Sequence, residues 1–313
     1  MLRIYWADWF VLLCLGALGG VPQEFIEPVH QSLPPTDPDF QWAQVKPVQV
    51  PELILVTTYG AAIFALIFLI EISPVFFGGE IFTRRFHHAL LGWFFALAGE
   101  LFIQGILSIL SGGLRPDFFA VCQPNLTNWE IGGVPECQNP SSSDIENSRR
   151  GFPCGHCSFS MANGLFFTLY LVGLLDPWDG NSSVLKQAVT MAPAVGAIFI
   201  SITRWADAQH TLTAVGVGML IGVVTALIAY HTFFHVLWSP LRGYPYAIRD
   251  REGIPASLRF PELFESPLPP RPRLCPFAVT WKSDSSVASH HVANETTVQQ
   301  QEEGQENVDR EGA

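Results

Sequence analysis

Six stretches of the chain are apolar for roughly twenty residues each, the length a helix needs to cross a hydrocarbon core about 30 Å thick. Inside such a core every backbone N–H and C=O must be satisfied within the segment, which a helix does and a lone strand cannot. The stretches run over about Tyr5–Val21, Leu53–Ile72, His88–Leu110, Ser158–Leu175, Ala188–Ile202 and Leu212–Leu237. Only 14% of the 313 residues are charged, well below the roughly 25% of a soluble domain. The net charge of −11 gathers in a tail ending QQQEEGQENVDREGA. No basic face of the kind that tracks nucleic acid is present, so nucleic-acid partners are excluded. The fold class that follows is all-α, a six-span transmembrane helical bundle over 1–238. A Pro-rich, acidic and mostly disordered cytoplasmic tail is expected over 239–313.

Basic residues set the expected orientation. The connection after the second span carries Arg84, Arg85, His87 and His88, which suits the cytoplasm. The central loop, about Gly112–Cys157, and the short connection Arg204–His210 then face the lumen or the outside. Asn125 opens an Asn-Leu-Thr sequon on that loop, in keeping with an integral membrane protein of the endomembranes or plasma membrane. Sequons at Asn181 and Asn294 fall on the opposite side and are expected to go unused. The first span, WFVLLCLGALGG behind Arg3, also has the features of a signal peptide. Glu71 and Glu100 fall in or beside apolar spans, where an ionisable group faces the bundle interior. Gln104 shares a helical face with Glu100 and is expected to pair with it.

Three segments on one expected side of the membrane carry the chemistry: GGLRPDFFAVCQP, GFPCGHCSFS and TRWADAQHTLTA. They place Arg115, His156, Arg204 and His210 at helix ends. Two guanidinium forks suit a tetrahedral oxyanion, and two imidazoles suit a nucleophile and a general acid near neutral pH. Gly155 permits close backbone approach at a helix N-terminus, which favours anions. Together these residues describe phosphoryl transfer at a membrane surface.

On these residues the chain resembles the type-2 phosphatidic acid phosphatase family. The family's signatures are Lys-x6-Arg-Pro, Pro-Ser-Gly-His and Ser-Arg-x5-His-x3-Asp. The chain has Ser108-x6-Arg115-Pro116, Pro153-Cys154-Gly155-His156 and Thr203-Arg204-x5-His210-x3-Ala214. The flanking text is similar to the lipid phosphate and diacylglycerol pyrophosphate phosphatase branch, and the soluble vanadium haloperoxidases share the signatures without the six spans. The resemblance implies that His210 attacks phosphorus to form a phosphohistidine while His156 protonates the leaving lipid oxygen. Arg115, Arg204, Gly155, Cys154, Ser108 and Thr203 are then the phosphate-binding positions. It implies a phospholipid substrate (phosphatidic acid, lysophosphatidic acid or diacylglycerol pyrophosphate), the bilayer as the other partner, and neither metal nor cofactor. Oligomeric state leaves no mark in the sequence.

Four family positions differ. Ser108 stands for the lysine, Cys154 for the first serine and Thr203 for the second. Ala214 stands for the aspartate that would hold the His210 Nδ1–H. Thr213 and Asp207 are the nearest replacements by spacing. The alternative reading is therefore a catalytically lapsed member that binds phospholipid or scaffolds membrane proteins. Cys154-Gly-His-Cys157 also reads as a thiol–disulfide exchange motif, though without the preceding strand that motif requires. Candidate bridges are Cys154–Cys157 and Cys122–Cys137. His231 and His235, at i and i+4, have metal-binding spacing but no third ligand nearby, and are expected to anchor the last helix at the interface with Tyr230 and Trp238.

Overall fold

The apolar stretches form helices whose two ends differ sharply in chemistry. A computed structural model describes residues 2–31, 38–45, 47–72, 80–125, 136–138, 141–178, 183–239 and 242–246, all within one compact unit. Asn181, Asn294 and the tail beyond 246 lie outside the described residues. The helices are α1 (Leu2–Phe25), α2 (Glu52–Leu55), α3 (Ala62–Ile72), α4 (Glu80–Ser111), α5 (Phe118–Cys122), α6 (Ser142–Ser148), α7 (Gly155–Leu175), α8 (Val184–Ala206) and α9 (Leu212–Phe233). A π-helical turn at Val56–Ala61 joins α2 to α3 in one rod. There the Thr57 and Thr58 hydroxyls donate back to the Leu53 and Ile54 carbonyls, a bonding pattern that loosens a helix locally. Among the described residues six spans are long and apolar enough to cross a membrane: Tyr5–Phe25, Glu52–Ile72, Arg85–Ser111, α7, α8 and α9. Among the described residues strand pairing is limited to isolated bridges, such as Gly113 with Phe152. The architecture is the all-α, six-span bundle.

The central helix is α7, 78% of whose apolar window is buried, against 17–39% in the other spans. It packs on α4, α8 and α9. Small residues let the backbones touch, as in packed membrane helices generally. A Cβ on Gly218 would sit 2.5 Å from the Cys154 carbonyl, and one on Gly222 would sit 2.5 Å from that of Ser158. Gly218 and Gly222 are one turn apart, so they hold the first half of α9 against the start of α7. The first span behaves in the same way. A Cβ on Gly19 would lie 2.5 Å from the Leu101 carbonyl, and one on Gly105 would lie 2.2 Å from that of Gly19. Helix α1 is thus seated in a backbone-to-backbone crossing with α4, as part of the bundle.

At the end away from the central loop, Arg85 Nε donates to Glu71 Oε1 at 2.9 Å, with both side chains buried. The Tyr170 hydroxyl also donates to Glu71. Arg85, counted above with the basic connection, is therefore spent within the bundle. Tyr5 and His88 are joined at 3.1 Å nearby. Arg242 pairs with Asp176 at 3.1 Å, and Pro245 bridges to Phe234, so the chain stays with the bundle to at least Tyr246. The expected Glu100–Gln104 pair does not form. Glu100 instead accepts from the Ser158 hydroxyl, while the Gln104 amide lies 3.1 Å from where a Gly155 Cβ would be. Both α4 side chains support the first turn of α7.

Candidate phosphoryl-transfer site

The ends of α4 and α8 and the starts of α7 and α9 meet on one side, with the central loop folded over them. Each bond in this region serves to hold the next. Trp42 N–H donates to the Pro116 carbonyl at 3.0 Å and Arg115 N–H to that of Ser148 at 2.9 Å. Gly151 N–H donates to the Gly113 carbonyl at 2.6 Å, and Cys154 N–H to that of Ala214 at 3.1 Å. A disulfide joins Cys122 to Cys137 across the neck of the loop. Beyond α8, Ala208 takes a left-handed φ of 55°, which folds the chain back so that the Gln209 and His210 amides both donate to the Arg204 carbonyl, at 3.1 and 3.3 Å. Thr211 then caps α9 by accepting from Ala214 N–H at 3.2 Å. His210 is fixed between a reverse turn and a helix cap.

The His210 ring is held from an unexpected quarter. Its Nδ1 lies 2.7 Å from the Gly151 carbonyl oxygen. A carbonyl can only accept, so Nδ1 carries the proton and Nε2 presents its lone pair. The carboxylate absent from position 214 is replaced by backbone. Neither residue suggested by spacing does this work: Thr213 pairs with Thr211 at 2.9 Å, and Asp207 accepts from Arg204 and from Gln49 N–H. Burial, foremost, and the positive field of Arg115 push the His210 imidazole down to about 3, against the pull of the Gly151 bond, with His156 and Arg204 adding to the depression. His210 is therefore neutral at physiological pH. A side chain at 151 has no room, since a Cβ there would lie 2.4 Å from the Leu114 carbonyl and 2.7 Å from Arg115 N.

Arg115 and Arg204 both act electrostatically on His156 and on His210, so the four residues form one cluster. Arg115 Nη1 donates to Gln209 Oε1 at 2.9 Å, and Gln209 Nε2 reaches Asp117 Oδ2 at 3.5 Å. Arg204 Nη2 pairs with Asp207 Oδ2 at 3.1 Å, both side chains being buried. Burial lowers the Arg115 guanidinium from its ordinary value, with Asp117 opposing and Arg204 adding to it. The Nε atoms of Arg115 and Arg204 are buried and make no hydrogen bond among the described residues. Two guanidinium donors are thus unspent beside two histidines.

The remaining phosphate-binding candidates contribute unequally. Gly155 opens α7, whose first N–H groups have no acceptor within their own helix. Ser108 is buried, and its hydroxyl has no partner among the described residues. The Thr203 hydroxyl donates to the Ile200 carbonyl at 2.6 Å. Cys154 departs from its expected role. Its sulfur is bonded to Cys157 and accepts from Cys157 N–H as the cap of α7, while its own N–H is used by Ala214. No thiol hydrogen remains to give to phosphate. The disulfide is fully buried, which also removes the access that thiol exchange needs. Sequence reasoning missed Gly151 and Gln209. Gln209 had a signal in its place beside His210; Gly151 had none, because a carbonyl oxygen is the same on every residue.

Residues 89–238 match the PAP2 superfamily. A PA-phosphatase related-family protein of Dictyostelium discoideum is 26% identical over 248 residues, 75% of this chain and 65% of its own length. Lipid phosphate phosphatase 1 of Arabidopsis thaliana is 26% identical over 207 residues, 64% of this chain and 63% of its own. Probable diacylglycerol pyrophosphate phosphatase 1 of Schizosaccharomyces pombe is 34% identical over 126 residues, 39% of this chain and 45% of its own. The chain thus spans under two thirds of the first two relatives and less than half of the third. No solved structure matches the chain. The matched region starts in α4 and ends just past α9, so it contains all three motif segments, and residues 89–238 form a domain of the PAP2 superfamily, the type-2 phosphatidic acid phosphatase family.

Proposed function

We propose that the protein removes phosphate from a lipid phosphate, using His210 as nucleophile and His156 as proton donor. The observation that carries this is the pairing of a neutral, Nδ1-protonated His210 with two buried arginines whose Nε–H groups are unspent. Nε2 of His210 attacks phosphorus as the bond to the lipid oxygen breaks, and that oxygen takes its proton from His156. Water then cleaves the phosphohistidine. Throughout, Arg115, Arg204 and the first N–H groups of α7 hold the equatorial oxygens. A lipid suits a site at the end of a membrane bundle, because the head group meets the polar end while the acyl chains stay in the bilayer. Purified protein is expected to release phosphate from phosphatidic or lysophosphatidic acid with chelator present, and His210→Ala to abolish the release. Equal release from the mutant would sink the proposal.

We place this end of the bundle in the lumen or outside the cell, on the strength of the Asn125 sequon. The Asn125 N–H donates to the Glu136 carbonyl at 3.1 Å beside the Cys122–Cys137 bridge. A glycosidase-sensitive mass shift that survives in Asn125→Gln would refute this placement.

One observation favours a second reading, a lapsed member that only binds phospholipid: Ser108 leaves the cradle without its lysine charge. Losing one donor to an oxyanion costs about 10²–10³ in rate. Ser108→Lys is expected to raise phosphate release, whereas Ala214→Asp alone brings no gain, since Nδ1 already has its acceptor. A silent wild type that Ser108→Lys fails to awaken would favour the lapsed member.

A further inference from the structure

The cradle is close to electrically balanced before any ligand arrives. Two cations face it, Arg115 from the α4–α5 connection and Arg204 from the end of α8. Each is matched by a buried carboxylate. Asp207 pairs with Arg204 at 3.1 Å, and Asp117 acts on Arg115 both directly and through Gln209. His210, between α8 and α9, is held neutral by its burial and by the field of Arg115. From α4 comes only Ser108, buried and uncharged. Glu100 lies a turn deeper, bonded to Ser158. Among nearby cations, Arg149 lies 5.2 Å over the Phe118 ring and feels Glu27, while Arg150 donates to the Gln23 carbonyl. Neither acts on His156 or His210. From α7, the Cys154–Cys157 disulfide adds no charge and no donor hydrogen.

We infer that this site takes the singly protonated, monoanionic form of a phosphomonoester, and that Ser108, Asp117 and Asp207 set that preference. The inference rests on the phosphoryl-site reading above but not on turnover. Two guanidiniums against two carboxylates leave no net charge. A first negative charge on the ligand is met by the unspent Nε–H groups of Arg115 and Arg204. A second would remain uncompensated among buried groups, where an unmatched charge is costly. A lysine at position 108 would supply the missing partner for a dianion.

Binding to full-length His210→Ala protein in nanodiscs tests this without turnover. The probes are a long-chain methylenephosphonate and its α,α-difluoro analogue, whose second ionisation is lower because fluorine withdraws charge. Dissociation constants for both are measured from pH 5 to 9. Each is expected to weaken by about tenfold per pH unit above the second ionisation of that probe, so the two curves break at different pH values. Introducing Ser108→Lys should flatten both curves, and Ser108→Gln should leave their slopes unchanged. Affinity that holds or rises with pH, or breaks at one pH for both probes, overturns the inference while leaving the phosphoryl site standing. Failure of both probes to bind at any pH overturns the site itself.

Discussion

The Gly151 carbonyl oxygen fixes which nitrogen of His210 presents its lone pair, and it does so only because position 151 has no side chain. Gly151→Ala would put a methyl group 2.4 Å from the Leu114 carbonyl, forcing the strand of chain between α6 and α7 outward and lifting its carbonyl off Nδ1. Disabling the orienting group of a catalytic histidine in serine proteases costs about 10⁴ in rate. Here kcat is expected to fall at least a hundredfold, about the cost of losing one transition-state donor, with little change in KM. A thermal melt run alongside separates this from unfolding. A variant with normal kcat would show that the carbonyl does not position the ring. At this scale the sequence was legible for side chains and blind to backbone. Arg115, His156, Arg204 and His210 were readable because their chemistry is in their names. The disulfide that takes Cys154 out of the cradle depended on which of two pairings the fold permits.

Among the elements, α7 carries the design: its first turn holds His156, and its length is clamped by α4, α8 and α9. Near its far end the Glu71–Arg85 ion pair, with Tyr170 from α7, ties α3 to α4 at the opposite side of the bundle from the site. Removing one partner of a buried ion pair leaves the other uncompensated, at a cost of about 3–5 kcal/mol. Arg85→Leu is therefore expected to lower the unfolding midpoint of detergent-solubilised protein markedly, and Glu71→Gln combined with it to recover much of the loss. Equal midpoints for the single and double variants would contradict that account. The spans themselves were readable from hydropathy, including the first. Its seating in the bundle was not, because Gly19 and Gly105 are 86 positions apart in a chain that gives no hint they meet.

For the whole molecule, the burial of His210 makes stability depend on pH in a defined direction. Its folded value of about 3 lies below the ordinary 6.5, so the unfolded chain binds a proton more readily. The His210 contribution is complete above pH 6.5 and is lost as pH falls from there towards 3. The unfolding midpoint of wild type should drop over that window more steeply than that of His210→Asn, which has no proton to gain. Parallel curves would rule out His210 as the source. In the proposed mechanism, the same depression keeps His210 Nε2 unprotonated at the mildly acid pH where phosphomonoester monoanions are abundant.

What the sequence alone determined was the solvent of the fold and the inventory of its chemistry. Six apolar runs of spanning length leave a bundle as the one way to satisfy the backbone, and three motif segments at their ends name the reacting groups. The tertiary structure decided how those groups are held. His210 loses its expected carboxylate at position 214 and gains a carbonyl from position 151, 59 residues earlier in the chain. The physical reason is that a hydrogen bond asks only for an oxygen at the right distance, and which oxygen arrives there is set by helix packing rather than by any local pattern of residues.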